Sequence, residues 1–397
     1  MNRSDRLLLL LTTLLLTLPP MAARAQQPVP LTFLAIGDAG QAGDEMSGNA
    51  RHMLEQATLG AAAGEPVSLL FFLGDNFYPH GLNGYTDKKR VELIKNVMGP
   101  HRTLMEMLGR ENVQSIPGNH DYYCTALEGT IPYGVCDAGN QAEAELEFWT
   151  YHPHDPAILR KALASGSRDS VDFILFDSAL LLNQKTEKWR PVLDSLESVL
   201  RRSAAARGVR WRILMAHHSP YSVGAHGGYR LWQASRKRIG YIGNCLSEGE
   251  DPTRYVQEFF SDEDNCTPHY RAYKDSLLAI LGRSNANIQL MMAGHDHSLQ
   301  LLYYPDSNSA CRNCPKIFII NGAGAKRESV RSSAPPNIYT HPFNTSKEKG
   351  RSAAGFTICR FQEGKLTITF IDSATGQPLI MGGVTTFMID ESGKPAM

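Results

Sequence analysis

The sequence predicts an α/β fold of layered, mixed β-sheets flanked by helices. Three observations lead there. Short apolar runs bounded by Gly or Asp recur along the chain, as buried strands do. Helical periodicity fills several of the gaps between them. The last strands lack intervening helices, so part of the sheet is antiparallel.

Taken in order, the chain opens on Arg3 and Arg6, an apolar run over 7–18, the break Pro19-Pro20, and Ala23-Arg24-Ala25. Small residues stand at the two positions a signal peptidase reads. The expectation is a signal peptide over 1–25, cleaved near Ala25, and a secreted or periplasmic protein. The run is short for a membrane span. Residues 26–397 read as a single domain. The chain has 40 Lys and Arg against 40 Asp and Glu. The leader carries Arg3, Arg6 and Arg24 against Asp5, so the mature chain is near minus two. That balance argues against a nucleic-acid-binding surface.

Strands are predicted over 31–36, 67–73, 113–116, 171–176, 211–216, 288–293 and 316–321. A hairpin of 355–361 and 365–371 turns at Glu363-Gly364. Helices are predicted over 46–62, 87–97, 186–202 and 270–281. The stretches 122–139, 228–269 and 326–351 read as loop insertions. Of the seven cysteines, sequence neighbours pair Cys124 with Cys136, Cys245 with Cys266 and Cys311 with Cys314, leaving Cys359 alone. Spacing does not fix connectivity, and Cys311 and Cys314 also allow a redox or zinc reading.

The turns at the carboxyl ends of five strands carry the chemistry. Their clusters are Gly37-Asp38-Ala39-Gly40, Gly74-Asp75-Asn76-Phe77-Tyr78, Gly118-Asn119-His120-Asp121, His217-His218 and Gly294-His295-Asp296-His297. Ligands bind beyond the carboxyl ends of strands in open α/β sheets. One rim therefore receives Asp, Tyr, Asn and His side chains without a thiolate. Such a set suits iron, manganese or zinc. The turn Gly322-Ala323-Gly324-Ala325-Lys326 lacks P-loop spacing and reads as a tight turn beside that rim.

These clusters resemble the motifs of the calcineurin-like metallophosphoesterase superfamily, and within it the purple acid phosphatase branch. That branch reads GDxG, GDxxY, GNH[DE], VxxH and GHxH. Here the sequence is GDAG, GDNFY, GNHD, MAHH and GHDH, and the likeness runs from about Leu31 to Phe370. Tyr78, three residues after Asp75, marks the branch. Gly40 stands where most of the superfamily has a metal-binding His.

The resemblance implies a β-sandwich core with a dinuclear metal site at the strand carboxyl ends. It implies Fe(III) held by Asp38, Asp75, Tyr78 and His297. Fe(II), Zn(II) or Mn(II) is held by Asp75, Asn119, His218 and His295, with Asp75 bridging. It further implies an exported hydrolase of phosphate monoesters, in which a hydroxide generated at the metals attacks phosphorus in line. His120 and His226 are the expected catalytic residues, easing departure of the leaving group. Asn119, His120, His217 and His226 form the expected substrate-binding set. His217 can also be read as a satisfied histidine behind the ligands. Two other readings stay open at this point. One is a phosphodiesterase for nucleotides or phospholipid head groups on the same metals. The other is a non-catalytic binding module, against which seven filled ligand positions speak.

Overall fold

The computed structural model describes residues 28–83, 85–123, 141–227, 265, 267–304, 311, 313–333 and 338–395. The expected leader and the pairs Cys124–Cys136 and Cys245–Cys266 lie outside the described residues, as do most of 122–139 and 228–269.

Among the described residues there are two seven-stranded sheets. The strands of the first are β1 (Thr32–Ile36), β2 (Val67–Leu73), β3 (Val113–Ile116) and β4 (Thr150–Tyr151). Those of the second are β5 (Ala157–Ala162), β6 (Ser170–Phe176), β7 (Val209–Ala216), β8 (Leu290–Ala293), β9 (Leu299–Tyr303), β10 (Ile317–Asn321) and β11 (Ile338–Thr340). The chain then returns to the first sheet with β12 (Gly355–Gln362), β13 (Lys365–Asp372) and β14 (Phe387–Asp390). The spatial orders are β14-β13-β12-β1-β2-β3-β4 and β11-β9-β10-β8-β7-β6-β5.

The centres of both sheets are parallel: β1–β2–β3 in one, β6–β7–β8–β10 in the other. The antiparallel pairs lie outward, including the predicted β12–β13 hairpin. Because the parallel strands share one direction, their carboxyl ends reach the same rim.

Alternation along each strand builds the layers. In β1, Phe33 and Ala35 face the second sheet while Leu34 and Ile36 face helices. Helix α1 (Asp44–Ala62) covers the first sheet with Met53 and Ala57. The neighbouring helices on that side are α2 (Asp87–Val97), α3 (Arg102–Leu108) and α4 (Gln141–Ala144). On the second sheet, α5 (Ser178–Leu182), α6 (Arg190–Ala205) and α7 (Pro268–Arg283) pack against Ile174, Phe176 and Leu214. Both faces of the central strands are buried, which is why most of them read as predominantly apolar runs. The result is a β-sandwich between helical layers.

Phe33, Phe71 and Phe173 meet between the sheets at 4.8–5.7 Å between ring centroids. All three are fully buried.

The structure departs from the sequence reading at the four sheet edges and at β9, next to one of them. β4, β5, β9, β11 and β14 are not among the expected strands. The helix expected over 186–202 begins later, at Arg190, after a 3₁₀ turn over Thr186–Lys188. Pro191 in its first turn suits that start. The stretch 326–351 is not merely a loop insertion. It holds β11, and it is stitched to the body by bridges from Val330 to Gly224 and from Ser352 to Pro342. Cys311 and Cys314 form a disulfide, and Cys359 is a buried free thiol.

Phe173→Ala should therefore lower the unfolding free energy by about 3–5 kcal/mol through the cavity it leaves between the sheets. Denaturant unfolding followed by fluorescence measures this. A loss below about 1 kcal/mol would mean that the sheets are not locked at this aromatic cluster.

Candidate metal centre

The site is built from backbone before side chains. Asp38, Asp75 and His295 each adopt a left-handed conformation, with φ of 56°, 55° and 67°. Such strain in non-glycine residues clusters where geometry is imposed by function. The neighbouring turns leave no room for side chains. A Cβ on Gly118 would lie 2.2 Å from Asp75 Oδ1. One on Gly40 would lie 2.5 Å from the Asp75 carbonyl oxygen, so position 40 has no space for a histidine. The Gly40 carbonyl accepts instead from Tyr78 N at 2.9 Å.

Around this frame the side chains converge. The Tyr78 hydroxyl lies 2.9 Å from Asp38 Oδ1, 2.7 Å from Asp75 Oδ2 and 3.0 Å from His297 Nε2. All four residues are buried. Beside them stand Asn119, His218 and His295, also buried. His218 Nδ1 meets Ser178 Oγ at 3.0 Å, while its Nε2 is buried and has no hydrogen-bond partner. A buried ring nitrogen left unpaired is costly unless something absent from the protein atoms receives it. Among the described residues, two groups have ligand atoms within 4.8 Å of one another: His217, His218 and His295, and Asp38, Asp75 and His217.

The other expected site residues, His120, His226 and His217, lie around these. His120 donates its backbone N–H to Asp75 Oδ1 at 3.0 Å. Its Nδ1 is held by the Pro79 carbonyl at 2.8 Å, which leaves Nε2 4.0 Å from Asp75 Oδ2. The His226 ring lies 4.3 Å from that of His295 and reaches Glu328 at 4.0 Å. His217 is the member of the expected substrate-binding set that the structure turns inward. It is fully buried, with Nδ1 on the Leu73 carbonyl at 2.7 Å and Nε2 on Asn119 Oδ1 at 3.1 Å. With both nitrogens engaged, it steadies Asn119 from behind and has no free edge toward a cleft.

Residues 31–299 match the calcineurin-like phosphoesterase family. The chain belongs to that family. It is similar to Purple acid phosphatase 17 of Arabidopsis thaliana, at 23% identity over 86% of this chain and 81% of the relative. It is likewise similar to Tartrate-resistant acid phosphatase type 5 of Rattus norvegicus, at 23% identity over 94% and 96%. Among solved structures, the Plasmodium inner-membrane-complex anchor GAP50 shares the fold, with a TM-score of 0.52, 16% identity and coverage of 90% and 89%. PhoD does so with a TM-score of 0.51, 13% identity and coverage of 93% and 72%. The protein is thus a purple acid phosphatase-like metallophosphoesterase, a metal-dependent phosphoric ester hydrolase with a two-sheet α/β fold.

The donor set fits the paired metals on which such phosphoesterases depend. It offers carboxylates, a phenol, an amide and imidazoles, and the orphaned His218 Nε2 is aimed among them.

Three further residues hold the site together. The Asp121 carboxylate accepts from the backbone N–H groups of Asn76, Phe77 and Gly118, tying two ligand loops together. Asp296, between the two predicted ligand histidines, accepts from Ser222 Oγ and from Gly227 N, and so anchors the loop that carries His226. Glu328 lies 3.4 Å from His297 Nδ1. Only the last had no signal in the sequence; the other two stood inside recognisable motifs.

Charges in the metal-free centre follow from crowding. Burial, with Asp38 and Asp75 beside it, pushes the Tyr78 phenol well above its usual range. Burial opposes charge on His297, but Asp38 and Glu328 outweigh it and hold the imidazole up at about 10. Burial and the neighbouring His217 hold His218 well below its usual range. At neutral pH, Tyr78 and His297 therefore carry protons that a metal ion must displace. The apparent affinity of the metal-free protein for Zn²⁺ should rise about tenfold or more per pH unit between pH 5 and 8. Proton release on titration should accompany it. The metal-free fold has the opposite sign. Its stabilisation by His297 is complete below about pH 6.5 and is lost as the pH rises through about 10. A pH-independent Zn²⁺ affinity with no proton release would rule out this ligand set.

Proposed function

We propose that the protein is an exported acid phosphatase that hydrolyses phosphate monoesters. Asp38, Asp75, Tyr78 and His297 would hold Fe(III). Asp75, Asn119, His218 and His295 would hold Fe(II), Zn(II) or Mn(II). The single observation that carries this reading is the convergence of Asp38, Asp75 and His297 on one phenol oxygen. A buried tyrosine does not give up its proton at acid pH without a strongly Lewis-acidic partner, and ferric iron is one. Export is supported by the leader-like residues 1–25.

Bound there, the metal pair supplies the Lewis acidity that acidifies water and polarises the phosphoryl group. The chain's own residues do the rest. Asp75 is common to both proposed ligand sets and orients His120 by accepting from its backbone N–H. His120, with Nδ1 fixed on Pro79, presents Nε2 on the ligand side. In its protonated form it donates to the departing alkoxide. His226, against His295, offers a second donor and is anchored by the Asp296 loop. Burial holds His120 below its usual range. Its acidic form is therefore populated at low pH and lost as the pH rises through that depressed value. The sign favours acid phosphatase activity.

Two measurements test the reading. Purified protein should contain iron and show a broad visible absorption band, and Tyr78→Phe should remove the band. Two bound metals without a band would replace tyrosinate–iron ligation by a general two-metal phosphoesterase site. Separately, His120→Ala should cut kcat for an alkyl monoester such as glycerol phosphate on the order of 10²–10⁴-fold. The loss should be smaller for p-nitrophenyl phosphate, whose leaving group needs no proton. Equal losses for both substrates would remove His120 from the proton-donor role.

A further inference from the structure

β10 reaches the same rim as the ligand-bearing strands but supplies no ligand. Its turn is nevertheless clamped to theirs. Gly322 N donates to Ser298 O at 3.2 Å and Gly324 N to Gly37 O at 3.1 Å. The Gly324 carbonyl accepts from Asn49 Nδ2 at 2.8 Å. A Cβ on Gly322 would lie 2.8 Å from Asp38 Oδ2, and one on Gly324 would lie 2.3 Å from Gly37 O. These contacts leave the turn no freedom, and it delivers Lys326 into the centre. The Lys326 ammonium sits 3.1 Å from the centroid of the Tyr78 ring, whose hydroxyl meets Asp38, Asp75 and His297. The His120 ring packs on the same tyrosine at 4.5 Å.

Resting on the phosphomonoesterase reading, we propose that Lys326 binds the phosphoryl group of the substrate and selects monoester dianions over diester monoanions. A partly buried ammonium has to find negative charge. Once Asp38 and Asp75 are committed to metals, Glu328 is the carboxylate that still acts on it, and the substrate phosphoryl group is the further anion this site would bring to it. A monoester has three non-bridging oxygens and two negative charges near neutral pH. A diester has two such oxygens and one charge, and carries an organic group in place of the third. A fixed point charge therefore rewards the monoester. Burial, the largest effect, lowers the Lys326 pKa, while Asp75, Asp38 and Glu328 support its charge. The site thereby gains a cationic side chain beside the imidazoles of His120 and His226.

The test compares wild type with Lys326→Met, which keeps the apolar stem on the Tyr78 ring, and Lys326→Arg, which keeps the charge. Metal content is measured on all three. The readouts are kcat/KM for p-nitrophenyl phosphate and bis(p-nitrophenyl) phosphate, and the Kd of inorganic phosphate by calorimetry. In Lys326→Met the monoester-to-diester ratio of kcat/KM should fall roughly 10- to 100-fold, as expected for one lost charge-assisted hydrogen bond. Phosphate should bind correspondingly more weakly, and Lys326→Arg should restore most of both. An unchanged ratio, or unchanged phosphate affinity, overturns the role of Lys326 while leaving the phosphomonoesterase reading standing. A wild type that turns over diesters alone overturns that reading, and the selectivity proposal with it.

Discussion

The centre depends on how closely the carboxyl ends of two separate sheets approach one another. Gly37 N donates to Asn321 O at 2.9 Å, joining the end of β1 to the end of β10. His295 N donates to Asp38 Oδ2 at 2.8 Å, joining β8 to β1. A Cβ on Gly37 would lie 2.9 Å from Gly294 Cα, so the two backbones are in contact. This proximity is why the ligand turns are rich in glycine. It also accounts for left-handed backbone at Asp38, Asp75 and His295, where a relaxed turn would aim the side chain elsewhere. The aromatic packing of Phe33, Phe71 and Phe173 below sets the distance between the sheets. Core and site are in this sense one structure.

Such a site is electrostatically unfavourable without its metals. Two buried carboxylates and a buried phenol occupy one small volume. The protein relieves this internally. His217 lies 3.4 Å from Asp75 Oδ1, and His297 lies 3.4 Å from Asp38 Oδ1. Burial works against protonation of His217, yet Asp75 and Asp38 raise its pKa overall. These imidazoles act as internal counter-ions until metal arrives. To serve as a ligand His297 would have to release its proton, whereas His217 would keep its bonds to Leu73 and Asn119. One Asp-rich rim thus serves both a foldable metal-free chain and a loaded centre.

The central strands and the ligand clusters were legible in the sequence for a common reason: each is constrained on all sides. β2 and β3 are buried on both faces and appear at the boundaries expected from the sequence, β2 as an apolar run and β3 as a short strand with Gln114 and Ser115 at its centre. Metal ligation narrows residue type, and close backbone approach demands glycine, so Gly-Asp and Gly-His pairs at strand ends stand out. Edge strands escape these constraints. β5 carries Arg160 and Lys161 and is only partly buried, its arginine pairing across to Asp172 on β6. Charge there disguises a strand as a loop. Lys326 and Glu328 were hidden for a different reason. Their roles come from the approach of the β10 turn to β1, and no spacing rule in the chain encodes that approach.

Asp296 shows how the parts are coupled. It lies between His295 and His297 and accepts from Ser222 Oγ, and a Cβ on Gly224 would collide with its carboxylate. The loop that carries His226 therefore closes directly onto the turn that carries His295 and His297. Val330, two residues after Glu328, bridges to Gly224 on the same loop. Glu328 in turn touches both His297 and His226. These contacts give a displacement of His295 or His297 a direct route to His226. Ligand geometry and the placement of this proposed proton donor are consequently set by a single packed unit, in which the β8 turn, the loop after β7 and the segment after β10 are mutually locked.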